Sequence, residues 1–201
     1  MEMVPDWLTH RAAVLPEHPA VIAQGSTVSY RELEGRVAEL AGALVEAGVV
    51  PGDRVAVLSP NSMGVLELIH AVPRAGAIYV PLNARLTAAE VAWQLTDSAP
   101  RLVIADRSLA ELATAAAELA RAPRPLVLPL PGGRKLTGRG DVPADRVHSI
   151  IYTSGTTGRP KGAMLTFGNF WASAIGSAMN LGVDPADRWL ACLPLFHVGG
   201  L

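Results

Sequence analysis

The sequence predicts an α/β fold in which helices cover the faces of a layered, parallel β-sheet. Short apolar runs alternate along the chain with longer segments whose apolar residues recur at helical spacing. Such alternation is typical of βαβ units, whose right-handed crossovers place the helices on the faces of the sheet. Half of the 201 residues are hydrophobic, which is enough for a sizeable core.

The first predicted elements are a hairpin and a capped helix. Gly25-Ser26 lies between two short apolar runs, as the turn of a hairpin does. Ser29 and Glu32 have the spacing of a capping box, and apolar residues then recur at helical spacing as far as Val45. Gly48 is expected to mark the end of this helix.

Strands and helices alternate through the middle of the chain. Strands are predicted at residues 54–58, 78–82, 101–105 and 126–130, and helices at residues 62–75, 87–98 and 108–121. Thr87 and Glu90 form a second capping box at the start of one of these helices. The β-branched run at 54–58 is typical of a strand buried in a parallel sheet.

Residues 131–146 are rich in glycine, proline and charge, which predicts a solvated internal loop. The basic residues in it lack the interleaved aromatic residues of a single-strand binder, so a plain connection is favoured over a functional basic patch. A strand at 149–152, a helix at 166–181 and a strand at 189–193 are predicted beyond it. Five further side chains are expected in the core rather than in a binding site: Tyr30, Trp171, Met179, Trp189 and Cys192.

The composition excludes several classes of function. Seventeen Lys and Arg residues against eighteen Asp and Glu residues leave a formal net charge of −1, so no broad positive field exists for nucleic acid or an anionic membrane. The single cysteine, Cys192, rules out an internal disulfide or a cysteine-based zinc cluster and is typical of a cytoplasmic protein. No segment has the pattern of a signal peptide or a membrane span.

One segment of eleven residues carries the groups suited to chemistry. Between Tyr152 and Gly162 the chain places four Ser and Thr hydroxyls, three glycines and Lys161 after a predicted strand. Glycines let backbone N–H groups converge, hydroxyls add donors and the lysine adds a compact positive charge, so the segment suits a phosphate group. A flexible surface turn is the alternative, but open α/β sheets place their ligand sites at the ends of such strands.

Two common loop types do not fit this segment. A Walker A loop has four residues between its glycines and a Ser or Thr after its lysine, whereas here Gly155 and Gly158 are three apart and glycine follows Lys161. A nucleophile elbow around Ser154 would require glycine at position 152. A P-loop kinase and an α/β-hydrolase are therefore disfavoured.

The segment, Tyr-Thr-Ser-Gly-Thr-Thr-Gly-Arg-Pro-Lys-Gly, resembles the signature of the adenylate-forming superfamily. That superfamily contains acyl-CoA synthetases, luciferases and the adenylation domains of peptide synthetases. Residues 28–33, 74–86 and 193–201 resemble further family motifs in the expected order. The resemblance spans nearly the whole chain, and it implies the N-terminal subdomain of the adenylate-forming enzyme fold.

A narrower likeness lies beyond the signature. Residues 169–182 and the following Asp187-Arg188-Trp189 are similar to the 2-succinylbenzoate–CoA ligases, a menaquinone-biosynthesis group within the superfamily. This similarity implies an AMP-forming acid–CoA ligase that acts on a small carboxylic acid.

The resemblance implies two half-reactions. The carboxylate attacks the α-phosphorus of ATP, bound with Mg²⁺, and expels pyrophosphate; the thiol of coenzyme A then displaces AMP. Lys161 is expected to contact the pyrophosphate as a catalytic residue, and His197 to line the acyl pocket, while the Mg²⁺ ligands are unknown. The resemblance assigns phosphate binding to seven residues: Thr153, Ser154, Gly155, Thr156, Thr157, Gly158 and Lys161.

The resemblance also implies that residues 1–201 are only the N-terminal part of an AMP-binding domain. Leu201 lies inside an apolar, glycine-rich motif, and the family's later motifs and C-terminal domain have no counterpart in the sequence. We therefore expect a truncated chain that is inert alone and binds ATP weakly. An uncovered core would also favour self-association into a homo-oligomer.

Three hypotheses about function remain open. The first is the CoA ligase, the second is an adenylation domain that loads a carrier protein, and the third is a non-catalytic nucleotide-binding or interaction module. A carrier domain encoded downstream would favour the second. ATP–pyrophosphate exchange with 2-succinylbenzoate or another aryl acid would exclude the third.

Overall fold

The computed structural model describes residues 2–138, 140–153 and 159–201. The strands in this part of the chain are β1 (Met3–Pro5), β2 (Pro19–Ala23), β3 (Ser26–Ser29), β4 (Arg54–Leu58), β5 (Ile78–Leu82), β6 (Leu102–Ala105), β7 (Leu126–Val127), β8 (Asp141–Pro143), β9 (Val147–Thr153) and β10 (Lys161–Thr166). The helices are α1 (Trp7–Val14), α2 (Tyr30–Glu46), α3 (Met63–Arg74), α4 (Ala88–Ser98), α5 (Ala110–Ala120) and α6 (Phe167–Leu181), with a 3₁₀ turn at Arg107–Leu109. Among these helices, none has both the length and the apolarity to cross a bilayer.

The central sheet has six strands in the order β10-β9-β5-β4-β6-β7. Five of them run parallel, and β10 lies antiparallel to β9 at one edge. Two small antiparallel pairs, β1 with β8 and β2 with β3, lie outside this sheet. The prediction of an α/β fold around a mostly parallel sheet is therefore confirmed, although the strand predicted at 126–130 is shorter and ends at Val127.

Burial on both faces explains the apolar run in β4. Val55 and Val57 belong to a first core cluster that includes side chains of α2 and α3. Ala56 and Leu58 belong to a second cluster with α4 and α5. Because side chains alternate along a strand, the sheet forms a layer between two pairs of helices.

Both predicted capping boxes are present. At α2, the Glu32 N–H donates to Ser29 Oγ (3.2 Å), and the Ser29 N–H donates to a Glu32 carboxylate oxygen (2.8 Å). Thr87 and Glu90 form the same reciprocal pair at α4. Each box satisfies N–H groups that lack a partner within the helix, so the helices begin where the sequence predicts.

The predicted hairpin is confirmed, although its turn lies one residue earlier than the predicted Gly25-Ser26. β2 and β3 pair with Ala23 opposite Ser26, which leaves Gln24 and Gly25 as a two-residue turn. Both turn residues have positive φ, 51° and 75°. This left-handed pair matches the twist of the flanking strands.

Residues 131–138 and 140–146 are exposed or half-buried except for Val142, but they also contact α2. The N–H groups of Gly133 and Leu136 donate to backbone carbonyls of α2 at 3.0 and 2.9 Å, and Leu136 packs against the first core cluster. The backbone of Arg134 lies so close to Gly42 of α2 that a Cβ there would collide with it. The segment also contains β8. A loop that lies against a helix and a loop that does not can share the same glycine-rich composition, so the sequence did not indicate these contacts.

The prediction of a strand at residues 189–193 is wrong. Trp189 and Leu190 are 86% and 82% exposed, and within the described ranges no strand runs beside them. A β-strand satisfies its backbone groups by pairing with a neighbour, so an apolar run without a neighbour does not form one.

The predictions for core side chains are partly right. Tyr30 and Trp171 pack against core clusters, as predicted. Cys192 and Trp189 were expected to be buried but are exposed, because the strand that would have carried them is absent from their segment. Met179 is 84% exposed on α6, so its helical spacing did not indicate a core position.

Candidate functional site

Four parallel strands end at the same edge of the sheet and continue into polar residues. Asn61 follows β4, Asn83 follows β5, Asp106 follows β6 and Thr153 ends β9. Open α/β folds bind their ligands in the crevice beyond the carboxyl ends of their strands. This edge is therefore the candidate site.

A cavity of about 670 Å³ opens at this edge. Its walls are formed by α4, by the ends of β5 and β9, and by the turn at residues 196–198. Apolar and aromatic side chains predominate, and the polar side chains among them are Asn83, Glu90, Gln94, Thr153, Arg159 and His197. A largely apolar cavity of this size with a few convergent polar groups is the usual form of a small-molecule site.

Two of the residues predicted from the sequence meet at this cavity. Thr153 and His197 both line it, although they lie in different elements. Five other predicted residues lie outside the described residues: Ser154, Gly155, Thr156, Thr157 and Gly158. Thr153 and Arg159, which precede and follow them in sequence, both line the cavity. Phosphate binding by this segment stays a prediction, and both ends of the segment lie at the candidate site.

Lys161 begins β10, a strand that the sequence analysis did not predict. It pairs with Thr153 across the ladder, its side chain is exposed, and it is not one of the described residues that line the cavity. The pairing fixes its backbone beside the end of β9, and its contact with pyrophosphate stays a prediction. The apolar run at residues 163–165 was the signal for β10, but the glycine-rich signature before it favoured a loop.

Tyr152 ties the end of β9 to α4. Its hydroxyl donates to a carboxylate oxygen of Asp97 (2.6 Å), and its ring meets Trp93 edge-on at a centroid distance of 5.8 Å. Burial, followed by the hydrogen bond and charge of Asp97, raises the pKa of Tyr152 well above its ordinary value. The hydroxyl therefore stays protonated as a donor. No sequence signal links Tyr152 with Asp97, because they belong to separate elements.

A tight turn presents His197 to the cavity. The His197 N–H donates to the Pro194 carbonyl (3.0 Å), and the Leu201 N–H donates to the His197 carbonyl (3.1 Å). The imidazole ring meets the ring of Phe196 edge-on, at a centroid distance of 4.7 Å. Asn61 bonds to the Leu193 carbonyl and the Leu195 N–H, at the start of this turn, a contact that sequence reasoning missed.

The described residues offer one carboxylate at the cavity, that of Glu90. No group of three His, Cys, Asp or Glu side chains that could hold a metal ion occurs among them. Glu90, the carboxylate in the cavity lining, accepts hydrogen bonds from the Thr87 N–H and hydroxyl, both at 2.8 Å. Those bonds hold the pKa of Glu90 below its ordinary value. These hydrogen bonds cap the N-terminus of α4, so the Glu90 carboxylate already has a structural role.

Residues 8–201 match the family model described as AMP-binding enzyme. The chain belongs to the AMP-binding enzyme family. The resemblance first drawn from the signature at residues 152–162 is therefore confirmed across nearly the whole chain.

Two proteins that are similar to this chain are named for the same acid, succinylbenzoate. The 2-succinylbenzoate–CoA ligase of Bacillus cereus (strain Q1) is 38% identical over 204 residues, covering 100% of this chain and 40% of the relative. The o-succinylbenzoate CoA synthetase (MenE) from Bacillus subtilis, solved with the acyl-adenylate intermediate OSB-AMP, has a TM-score of 0.90 and 33% identity over 100% of this chain and 41% of its own. The same synthetase solved with ATP and magnesium ion has a TM-score of 0.88 and 32% identity, over 99% and 53%. The chain thus spans about two fifths to one half of the proteins it matches.

Proposed function

We propose that the protein to which this chain belongs is an AMP-forming acid–CoA ligase of menaquinone biosynthesis. It would activate 2-succinylbenzoate with ATP and pass the acyl group to coenzyme A. The observation that carries this proposal is the 38% identity to a 2-succinylbenzoate–CoA ligase along the whole chain. The similar synthetase from Bacillus subtilis, solved with OSB-AMP and with ATP and magnesium ion, supports the same acid and nucleotide as ligands.

In the first half-reaction, a carboxylate oxygen bonds to the α-phosphorus of ATP while the bond to the pyrophosphate oxygen breaks. Negative charge then develops on the phosphate oxygens. Thr153 and residues 154–158 would donate N–H and O–H groups to them, and Lys161 would place its ammonium against the departing pyrophosphate. One well-placed donor of this kind is worth on the order of 3 kcal/mol in the transition state.

In the second half-reaction, the sulfur of coenzyme A bonds to the acyl carbon, and AMP leaves with the electron pair of its acyl–oxygen bond. The thiol proton passes to solvent. His197 and the aromatic side chains of the cavity would hold the acyl group during both steps, because an apolar wall with few polar groups suits an aryl acid.

We place this reaction in the cytoplasm and expect no nucleic-acid partner. The near-neutral charge supports the second expectation, and the exposed thiol of Cys192 suits a reducing compartment. Exposed apolar side chains, among them Met179 and Trp189, support the further expectation that residues 1–201 alone form a homo-oligomer.

Acid-dependent ATP–pyrophosphate exchange by the full-length protein tests the proposal. We expect exchange with 2-succinylbenzoate to exceed exchange with benzoate or acetate by at least about tenfold in kcat/KM, since a fitted pocket discriminates by binding energy. Coenzyme A should then yield the thioester. Exchange without thioester formation would favour carrier loading, and no exchange with any acid would favour a non-catalytic module.

A further inference from the structure

Asn61, in the loop between β4 and α3, holds the segment that carries His197. Its side-chain Nδ2 donates to the Leu193 carbonyl (2.8 Å), and its Oδ1 accepts from the Leu195 N–H (2.8 Å). The carbonyl and the N–H belong to alternate residues, which is how one residue of a parallel strand bonds to its neighbour. A single amide therefore takes the place of a strand partner here.

The segment at residues 193–201 needs an anchor because the residues before it belong to no helix or strand. α6 ends at Leu181, and residues 182–192 form neither helix nor strand. Leu195 and Leu201 pack against the first core cluster, but apolar contact is non-directional and does not fix the orientation of the backbone. The paired hydrogen bonds of Asn61 are directional and do fix it.

The turn described above carries this constraint to His197. Pro194, whose carbonyl accepts from the His197 N–H, lies between the two residues that Asn61 bonds. His197 lines the cavity, whereas Asn61 is not one of its described lining residues. Asn61 thus acts on the cavity wall through the backbone of residues 193–197.

We propose that Asn61 is a positioning residue that sets His197 in the cavity wall and thereby the affinity for the carboxylic acid. The kinetic part of this inference rests on the proposed function, and the structural part does not. A displacement of about 1 Å caused by a residue outside a site can cost about 100-fold in rate. Loss of the anchor should therefore be measurable at the acid site.

Asn61→Asp is the variant that tests the anchor most cleanly. It keeps nearly the same shape and the acceptor for the Leu195 N–H, but it loses the donor and sets a carboxylate against the Leu193 carbonyl. Asn169→Asp is the matched control, since the exposed Asn169 oxygen accepts from the Thr166 N–H (2.9 Å) and a carboxylate can do the same.

Hydrogen exchange in the full-length protein tests the structural part. Asn61→Asp should speed amide exchange in residues 195–201 by about tenfold or more, because local opening sets the exchange rate. Asn169→Asp should leave this segment unchanged. Unaltered exchange in Asn61→Asp would overturn the inference whether or not the protein is a ligase.

ATP–pyrophosphate exchange tests the kinetic part. Asn61→Asp should raise the KM for the acid about tenfold and the KM for ATP by less than about twofold. Added to His197→Ala, it should have little further effect, because the two changes remove the same interaction. Equal increases in both KM values, or fully multiplicative effects in the double variant, would overturn the positioning role. If the wild-type protein catalyses ATP–pyrophosphate exchange with none of the acids, the proposed function fails. The amide hydrogen-exchange experiment alone then tests the role of Asn61.

Discussion

Arg74 shows how one buried charge joins three helices. Its side chain is 3% exposed and donates to both carboxylate oxygens of Glu34 in α2, at 2.8 and 2.7 Å, and to Thr9 Oγ1 in α1 at 3.0 Å. A desolvated guanidinium is tolerated only when it is paired. The sequence placed Arg74 in a family motif but could not predict its partners, which lie 40 and 65 residues away along the chain.

Glu34→Gln should lower the free energy of unfolding by about 2 kcal/mol, because it removes the nearer of the two carboxylates beside the buried Arg74 and leaves only Asp6, at 3.5 Å. Urea denaturation of residues 1–201 would measure this. Glu17→Gln is the control, since Glu17 pairs with Arg31 on the surface, where their side chains are 75% and 66% exposed. That change should cost less than about 1 kcal/mol. A similar loss of unfolding free energy in the two variants would contradict the view that the buried Arg74–Glu34 pair matters more than the surface pair.

Elements whose limits depend on local chemistry were predictable. β4 and β5 match the predicted ranges 54–58 and 78–82, and α2 and α4 begin at the predicted capping boxes. The failures concern strands that depend on a neighbour. β10 exists because β9 lies beside it, whereas the run at 189–193 has no such neighbour among the described strands, and a local pattern cannot distinguish the two cases.

Thr87→Ala should destabilise the fold by about 1 kcal/mol, because it removes the hydroxyl that caps α4. Thr87→Ser keeps that hydroxyl and should retain most of the stability. Urea midpoints at constant m-value would show the difference. A Ser variant as unstable as the Ala variant would mean that the methyl group, rather than the cap, is what matters.

At the scale of the whole molecule, His148 connects the sheet to α1 and α6. Its ring lies 4.8 to 5.9 Å, centroid to centroid, from the rings of Trp7, Phe167 and Phe170, and the residue is 2% exposed. Burial, followed by the charges of His70 and Arg146, lowers the pKa of His148 to about 3 from an ordinary value of 6.5. Between these values the unfolded chain binds more protons than the folded chain, so stability falls as the pH falls.

The stability of residues 1–201 should therefore decline below about pH 6.5, and the His148 contribution should reach on the order of 3 kcal/mol by pH 4. His148→Phe keeps an aromatic ring in the cluster and removes the titration, so the decline between pH 7 and pH 4 should be shallower. Urea denaturation across this range would measure it. A decline in His148→Phe as steep as in the wild type would refute the account.

The candidate site was predictable in location and only partly in composition. The end of β9 follows from strand order and polarity, and Thr153 and His197 do meet at one cavity. The Asn61 anchor and the Tyr152–Asp97 bond depend on contacts between distant elements. Such contacts leave no periodic or local pattern in a single sequence.

Single-turnover kinetics of full-length Lys161→Ala test the central claim, that the signature segment stabilises the phosphates of ATP. Rapid quench would follow acyl-adenylate formation from ATP and acid, and separately thioester formation from preformed acyl-adenylate. Loss of one charged donor should slow the first step by about 100-fold and the second by less than about threefold. Equal slowing of both steps would contradict the claim.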